Sequence, residues 1–481
     1  MTSSQGRINT GLVLGLAVGA SLGGLLFGYD TAVISGAEQS IKFNFVVPHT
    51  DWSVDFKNTV HGFAVGIALL GCVIGSAIAG PLATALGRRA GMLIAASLFF
   101  VSSLLSAFPE TLLAPVGQMG TEAIWPFLIY RTFGGIAIGM ASLISPMYIS
   151  EIAPAKQRGL FVSLEQIAIV VGITLVYFVN MQIARMGGSD DTWLHAVGWR
   201  YMLASCAIPA AIFFVAALIM PDTPRWYMLK GKEDKAREVL SKANPANEVE
   251  TTLNEIRGSL TQHSGKLLSF GFGVLAVGIL LSVFQQVVGI NAVLYYAPTM
   301  FENLGLGKDA AMLNTVIMGI AMVVFTVIAL FTVDHWGRKP LLILGSVVMA
   351  ASLIFLGILY QTQNPAEQPG IIYLIVAITY IAGFSLSWGP IVWVMLAEMF
   401  PNSIKGKAMS VAVAAQWIAN FIVSQTFPMM DGNPQLIAAF NHGFSFYVYG
   451  ACSILSGLFV WKFVPETKGR TLEAIEHLWK K

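Results

Sequence analysis

Charge is scarce in this sequence. Of 481 residues only 11% are Asp, Glu, Lys or Arg, and 56% are hydrophobic, with a mean hydropathy of +0.70. Soluble domains carry about a quarter charged residues, so a soluble multidomain enzyme is excluded. Cysteine is scarce too: Cys72, Cys206 and Cys452 all lie in apolar runs, which leaves no disulfide framework. The seven histidines fall mainly at the edges of apolar spans, and no nucleophile–base pair, phosphate loop or zinc-type spacing is found. No enzyme activity, cofactor or metal is therefore expected. A net charge of +2 gives no reason to expect a nucleic-acid partner. The N-terminus lacks a small-residue cleavage site before its first apolar run, so an uncleaved first helix is expected.

Long apolar runs are abundant. Twelve candidate spans cover roughly 11–36, 61–83, 91–108, 124–149, 159–183, 199–220, 268–298, 311–333, 340–360, 371–397, 407–428 and 443–463. The only long polar interval is 222–266, where Glu233–Leu240 and Val249–Leu260 read as short amphipathic helices. A tail helix from Thr471 is also expected. With both termini on the cytoplasmic side, 22 of the 28 Lys and Arg residues fall inside, as the positive-inside rule requires. The expectation is a multi-pass protein of the cell membrane.

One acid breaks the first span. Asp30 ends a stretch from Gly11 that carries no other charge, and Gly24 and Gly28 precede it at a spacing that lets helices approach closely. An intramembrane carboxylate costs at least a few kcal/mol and marks an ion pathway or a buried pair. A solvated residue at a helix end is the alternative. The obvious counter-charge is Arg131, inside the fourth span. This pair is expected to couple proton movement to substrate movement.

The chain repeats itself. Ala85-Leu86-Gly87-Arg88-Arg89 returns as His335-Trp336-Gly337-Arg338-Lys339, and Glu151, seven before Arg158, returns as Glu398, seven before Lys405. Pro221-Asp222-Thr223-Pro224-Arg225 is echoed by Pro465-Glu466-Thr467-Lys468-Gly469-Arg470. Offsets of 250, 247 and 244 in the same order argue for two parallel six-span halves, a common carrier plan. The halves are set at 11–221 and 267–464, the linker at 222–266 and the tail at 465–481. Arg88, Glu151, Arg158, Arg338, Glu398 and Lys405 are candidate gating residues: acids add little to the positive-inside rule, so a switchable salt-bridge network fits better than topology alone.

A polar cluster interrupts the seventh span. Gln285, Gln286, Asn291 and Tyr295 are costly in lipid unless they meet a polar ligand or water. On an unbroken helix Gln286 and Asn291 would diverge by about 140°, so Gly289 between them predicts a break. Gln166 and Gln416 are comparable amides at an offset of 250, and Trp388, Trp393 and Trp417 offer aromatic surface. Amides and flat rings suit a sugar; for each aromatic alone, helix packing explains it equally.

The stretches GGLLFGYD, GRR, PMYISEIAPAKQRG, PDTPRW, FQQVVGIN, SWGP and PETKGR resemble the sugar porters of the major facilitator superfamily, above all its bacterial D-xylose–proton symporters, with the glucose facilitators nearby. The resemblance covers essentially the whole chain. It implies an all-α membrane protein of twelve transmembrane helices in two six-helix halves, a cytoplasmic helical linker and alternating access. Phe27, Gln166, Gln285, Gln286, Asn291, Tyr295, Phe384, Gly389, Trp393, Gln416 and Trp417 match sugar-contacting positions of that family. Ile173 and Met322 stand where its xylose symporters have a Gln and an Asn, which favours a hexose as much as xylose. Cys206 replaces an acid of the sixth span, and Thr84 stands where the superfamily usually has Asp. Glu165 is not expected from the pattern; it reads either as a second proton group or as a residue of the inner rim. The expected function is proton-coupled pentose or hexose symport by a monomer in the lipid bilayer. The alternatives are a passive sugar facilitator and a transporter-like sensor.

Overall fold

The computed structural model describes residues 9–112, 120–154, 158–188, 191–260, 267–268, 270–362, 370–401 and 404–468. Among them twelve helical stretches are long and apolar enough to cross a membrane. The first six are α1 (Thr10–Phe45), α2 (Val54–Leu86), α3 (Arg88–Ala107), α4 (Ile124–Ile152), α5 (Arg158–Met186) and α6 (Asp191–Ile219). Three short helices follow: α7 (Pro224–Leu229), α8 (Glu233–Ala243) and α9 (Ala246–Leu260). The seventh span divides into α10 (Phe272–Val287) and α11 (Ile290–Glu302), and α12 (Lys308–Trp336) and α13 (Arg338–Thr362) come next. The tenth divides into α14 (Gly370–Ser385) and α15 (Trp388–Met399). Then come α16 (Lys405–Asp431), short α17 (Pro434–Phe440) and α18 (Phe444–Phe463).

All twelve expected spans are present, but several are longer than hydropathy suggested, α6 by eight residues at its start. Helix α1 runs on to Phe45 and α2 starts at Val54, where Ser53 caps it by accepting from the Phe56 amide at 3.2 Å. The added turns are polar, so an apolar window ends before the helix does. The expected tail helix falls at 471–481, outside the described residues.

Packing follows small residues, because lipid supplies no hydrophobic drive between helices. At Gly28 of α1 a Cβ would sit 1.9 Å from the Ile169 carbonyl oxygen of α5. The Gly24–Gly28 spacing therefore seats α1 directly on α5. Helices α8 and α9 join through Ala236, Leu240, Val249 and Leu253, with Arg237–Glu250 at 2.8 Å outside. These helices mark what we call the linker end of the bundle; the opposite end is the far end.

Three seams join the two sets of six spans: α1 against α11, α2 against α16, and α5 against α12. Polar links between the two sets of spans gather from mid-bundle to the far end. They include Tyr177 hydroxyl to Leu294 carbonyl (2.7 Å), Gln425 to the Thr59 carbonyl (2.7 Å) and Arg185 to Asp309 (3.3 Å).

Candidate functional site

Asp30 lies at mid-bundle, 3% exposed, and Arg131 of α4 meets it from the side at 5%. Arg131 Nη1 donates to Oδ1 at 2.6 Å and Nη2 to Oδ2 at 3.3 Å. Such a fork-to-fork pair is among the strongest charge-assisted contacts, and burial makes losing one partner costly. The solvated alternative for Asp30 is excluded. Phe27, Tyr295 and Trp417 line the cavity beside the pair, with Phe27 and Trp417 edge to face at 5.2 Å.

The seventh span breaks where the sequence places a glycine. Gly289 has φ +92°, a left-handed conformation open to glycine, and α11 begins immediately after it. The break turns Asn291 back toward α10, so that its Nδ2 donates to Gln286 Oε1 at 2.6 Å. Gln286 Nε2 in turn reaches Gln285 Oε1 at 3.3 Å, and Gln285 Nε2 donates to the carbonyls of Trp388 (2.8 Å) and Gly389 (3.1 Å). One run of amides thus ties the seventh span to the break in the tenth. Phe384 packs beside Gly389, where an added Cβ would lie 3.3 Å from its ring.

Gln416 Oε1 and Trp417 Nε1 are buried without a hydrogen-bond partner among the described residues, an acceptor and a donor left for a polar guest. Gln166 on α5 and Trp393 on α15 are half-buried and stand apart from the amide run. Trp388 differs from its expected part: it is fully buried, and its Nε1 donates to Ser346 Oγ (2.9 Å) and the Leu342 carbonyl (3.1 Å). Its indole fastens α15 to α13.

At the linker end the repeated motifs close within each half. Arg88 grips Glu151 through Nε (2.9 Å) and Nη2 (2.7 Å), and Arg338 reaches Glu398 through Nη2 (3.0 Å). In both copies a threonine the sequence did not single out completes the acid: Thr223 donates to Glu151, and Thr467 to Glu398, each at 2.5 Å. The signal was the PDT/PET echo. Lys405 opens α16 half-buried, and the side chain of Arg158 lies outside the described residues.

The sequence profile of the sugar (and other) transporter family matches residues 16–479. The chain belongs to that family. It is 48% identical to the D-xylose-proton symporter of Escherichia coli K12, covering 98% of this chain and 97% of that one. It is 42% identical to the glucose facilitated diffusion protein of Zymomonas mobilis, covering 98% of both. Among solved structures, the inward-open xylose transporter of E. coli is similar with a TM-score of 0.86 at 45% identity, over 97% of this chain and all of that one. The same symporter bound to 6-bromo-6-deoxy-D-glucose gives 0.83 at 47% identity, covering 98% of this chain and all of that one.

Several departures of this transporter from its relatives now have places. Ile173, Met322 and Cys206 are buried. Thr84 turns its hydroxyl back onto its own helix, donating to the Gly80 carbonyl at 2.9 Å. Glu165 closes over Gly24 between α1 and α5, with both carboxyl oxygens buried and without a hydrogen-bond partner among the described residues. Two buried pairs escaped the sequence reading. Arg200 meets Glu110 at 2.8 Å, and His61 meets Glu38 at 2.9 Å. Glu38 lies two residues past the expected end of the first span, and its one signal was its place eight residues after Asp30.

Proposed function

We propose that this chain is a proton-coupled monosaccharide symporter working by alternating access, with the linker end and both termini in the cytoplasm of a multi-pass cell-membrane protein. The observation that carries it is the dry Asp30–Arg131 pair, 2.6 Å apart between α1 and α4. A carrier that only conducts sugar needs no titratable group at mid-bundle, whereas a symporter needs one whose proton affinity differs between its two open states. Asp30 carries the proton, and Arg131 holds its ionised form. Gln285, Gln286, Asn291, Gln416 and Trp417 supply hydrogen bonds to the sugar, and Phe27, Tyr295, Phe384 and Trp393 frame it, with Gln166 and Gly389 at the rim. In the cycle Asp30 gains a proton as the sugar binds, its hold on Arg131 weakens, and the halves rock. The gathering of cross-half links at the far end supports an inward-facing reading of the conformation described here. The ion pairs Arg88–Glu151 and Arg338–Glu398 stiffen each half at the cytoplasmic mouth, and Arg158 and Lys405, which open α5 and α16, are assigned to the same gate. The chain works as a monomer.

The test is sugar uptake into proteoliposomes with an imposed pH gradient, set beside counterflow without one. Wild type accumulates sugar, and Asp30→Asn exchanges it without accumulating. Gradient-independent uptake by wild type, or accumulation by Asp30→Asn, would establish facilitation instead. That second reading has one observation in its favour: Ile173 and Met322, apolar where the resemblance to xylose symporters expects amides, are both buried. Counterflow competed with pentoses and hexoses assigns the sugar in the same assay.

A further inference from the structure

At the far end a second buried acid bridges the halves. Glu38 of α1 and His61 of α2 are 1% and 4% exposed, and His61 Nε2 lies 2.9 Å from Glu38 Oε2. The other oxygen, Oε1, accepts the hydroxyl of Thr299 from α11, across the seam. Gln39 Nε2 then donates to the same Thr299 oxygen at 2.8 Å. The Thr299 hydroxyl thus donates once and accepts once, both times to neighbouring residues of α1. Lys42, Tyr296 and Asp431 border the same small cavity.

Burial of its carboxylate sets this link apart from the ion pairs that cross the halves at the far end. Arg185–Asp309 leaves its side chains 43% and 77% exposed, and Lys308–Asp191 30% and 67%. Exposed pairs contribute about 0–1 kcal/mol, whereas a hydrogen bond to a dry carboxylate is stronger and costly to leave unmade. When α1 and α11 separate, both Thr299 bonds break together. The His61 bond lies within the first half and survives. Of the bonds that Glu38 makes, the one to Thr299 differs between closed and open states, and only differential contacts move a conformational equilibrium.

We propose that Glu38 is the latch of the far-end gate, closing on Thr299 of the other half, and that His61 is the positioning residue that aims its carboxylate. This rests on the alternating-access reading above. Neither residue touches the sugar-facing amides, so the latch acts on how often the far end opens.

The experiment is electron–electron distance measurement on the full chain in lipid nanodiscs, without sugar or pH gradient. Spin labels go on Val47→Cys and Gln435→Cys, which are exposed on opposite halves, with Cys452 changed to Ser. Glu38→Ala is expected to raise the open-to-closed ratio about tenfold, the loss of one hydrogen bond to a charged group, and Thr299→Val by at least as much, because it also removes the bond from Gln39. Thr299→Ser should restore the wild-type distribution. The double variant should match Thr299→Val, because that change already removes the bond to Glu38. If Glu38→Ala does not fold, Glu38→Gln, which keeps an acceptor without the charge, gives a smaller shift in the same direction. A wild-type distribution in Thr299→Val, whatever its melting temperature, overturns the latch, as does a double variant equal to the product of the singles. Distance shifts in a chain that fails to accumulate sugar count against proton coupling and leave the latch standing.

Discussion

In the first half Arg88 holds Glu151 with two nitrogens, and the carboxylate is 10% exposed; in the second Arg338 holds Glu398 with one, at 28%. The residue after the last span of each half behaves alike in outline. Asp222 Oδ1 accepts the amides of Arg88 (2.9 Å), Thr223 (3.1 Å) and Arg89 (3.5 Å), all on one oxygen. Glu466 spreads its load: Oε1 accepts from Arg338 (3.1 Å) and Lys468 (2.8 Å), Oε2 from Lys339 (3.0 Å). The result is opposite titration. Burial pushes Asp222 above the usual carboxylate range, more than its N–H donors pull it down. Burial pushes Glu466 up as well, but the amides of Lys468, Lys339, Arg338 and Thr467 outweigh it and hold it low. One inherited motif has become a dry clamp in one half and a wetter one in the other.

The largest break in this comparison should come at the acids. Glu151→Ala strands Arg88, itself 6% exposed, and is expected to cost about 3 kcal/mol or more. Glu398→Ala should cost about 1 kcal/mol, since its partly solvated pair is easily replaced by water. Thermal unfolding of the purified chain in detergent measures both, and equal losses would erase the distinction. Sugar affinity should change less than transport rate in each.

The motif glycines should separate next. A Cβ on Gly87, at φ +107°, would lie 2.1 Å from Asp222 Oδ2; on Gly337, at φ +92°, it would lie 2.9 Å from Glu466 Oε2. Both alanines pay for left-handed backbone, about 1–3 kcal/mol. Gly87→Ala should lie at the upper end because its clash falls on a buried acid, as comparison of the two melting curves would reveal.

Much of this architecture was readable in the residues. The span count, the Gly24–Gly28 seam, the break at Gly289 and the charge pair at Asp30 and Arg131 each follow from a local rule of solvation or backbone geometry. What escaped depends on tertiary partners. Hydropathy ends the first span at residue 36 because Glu38 and Gln39 are polar; only α2 and α11, brought alongside, make them interior. Trp388 reads as ligand surface until Ser346 and Leu342 are found holding its N–H. Thr223 and Thr467 sit in polar stretches where a hydroxyl normally bonds its own backbone, so nothing local announced a donor to a distant acid.

The smallest predicted effect concerns pH. The pKa of Glu466 is lowered by folding, so its stabilisation is present above the unfolded value of about 4.3 and lost as pH falls through the folded one. The pKa of Asp222 is raised, so its contribution is present below about 3.9 and lost as pH rises through its folded value. Glu466→Gln should flatten the acid-side loss of stability and lower the melting temperature at pH 7. Asp222→Asn keeps the one accepting oxygen and should be near neutral or slightly stabilising at pH 7. Melting curves from about pH 2.5 to 8, which span the fall through the lowered Glu466 value, would reverse the assignment if the two variants exchanged these behaviours.

Helix α1 has 36 residues and no proline, so it forms a rod about 54 Å long against a hydrocarbon slab of about 30 Å. Asn9 at one end accepts the Leu12 amide and donates its own amide to the Ala243 carbonyl of the linker, while Glu38 near the other end faces Thr299. A stiff rod of that length is a lever. Each 10° of rotation about its middle moves the tips about 5 Å in opposite directions, enough to part a hydrogen bond at one mouth while closing space at the other. Its partner across the seam is hinged at Gly289. The same residue that turns Asn291 toward Gln286 lets α11 follow the lever's far tip while α10 stays with its own bundle.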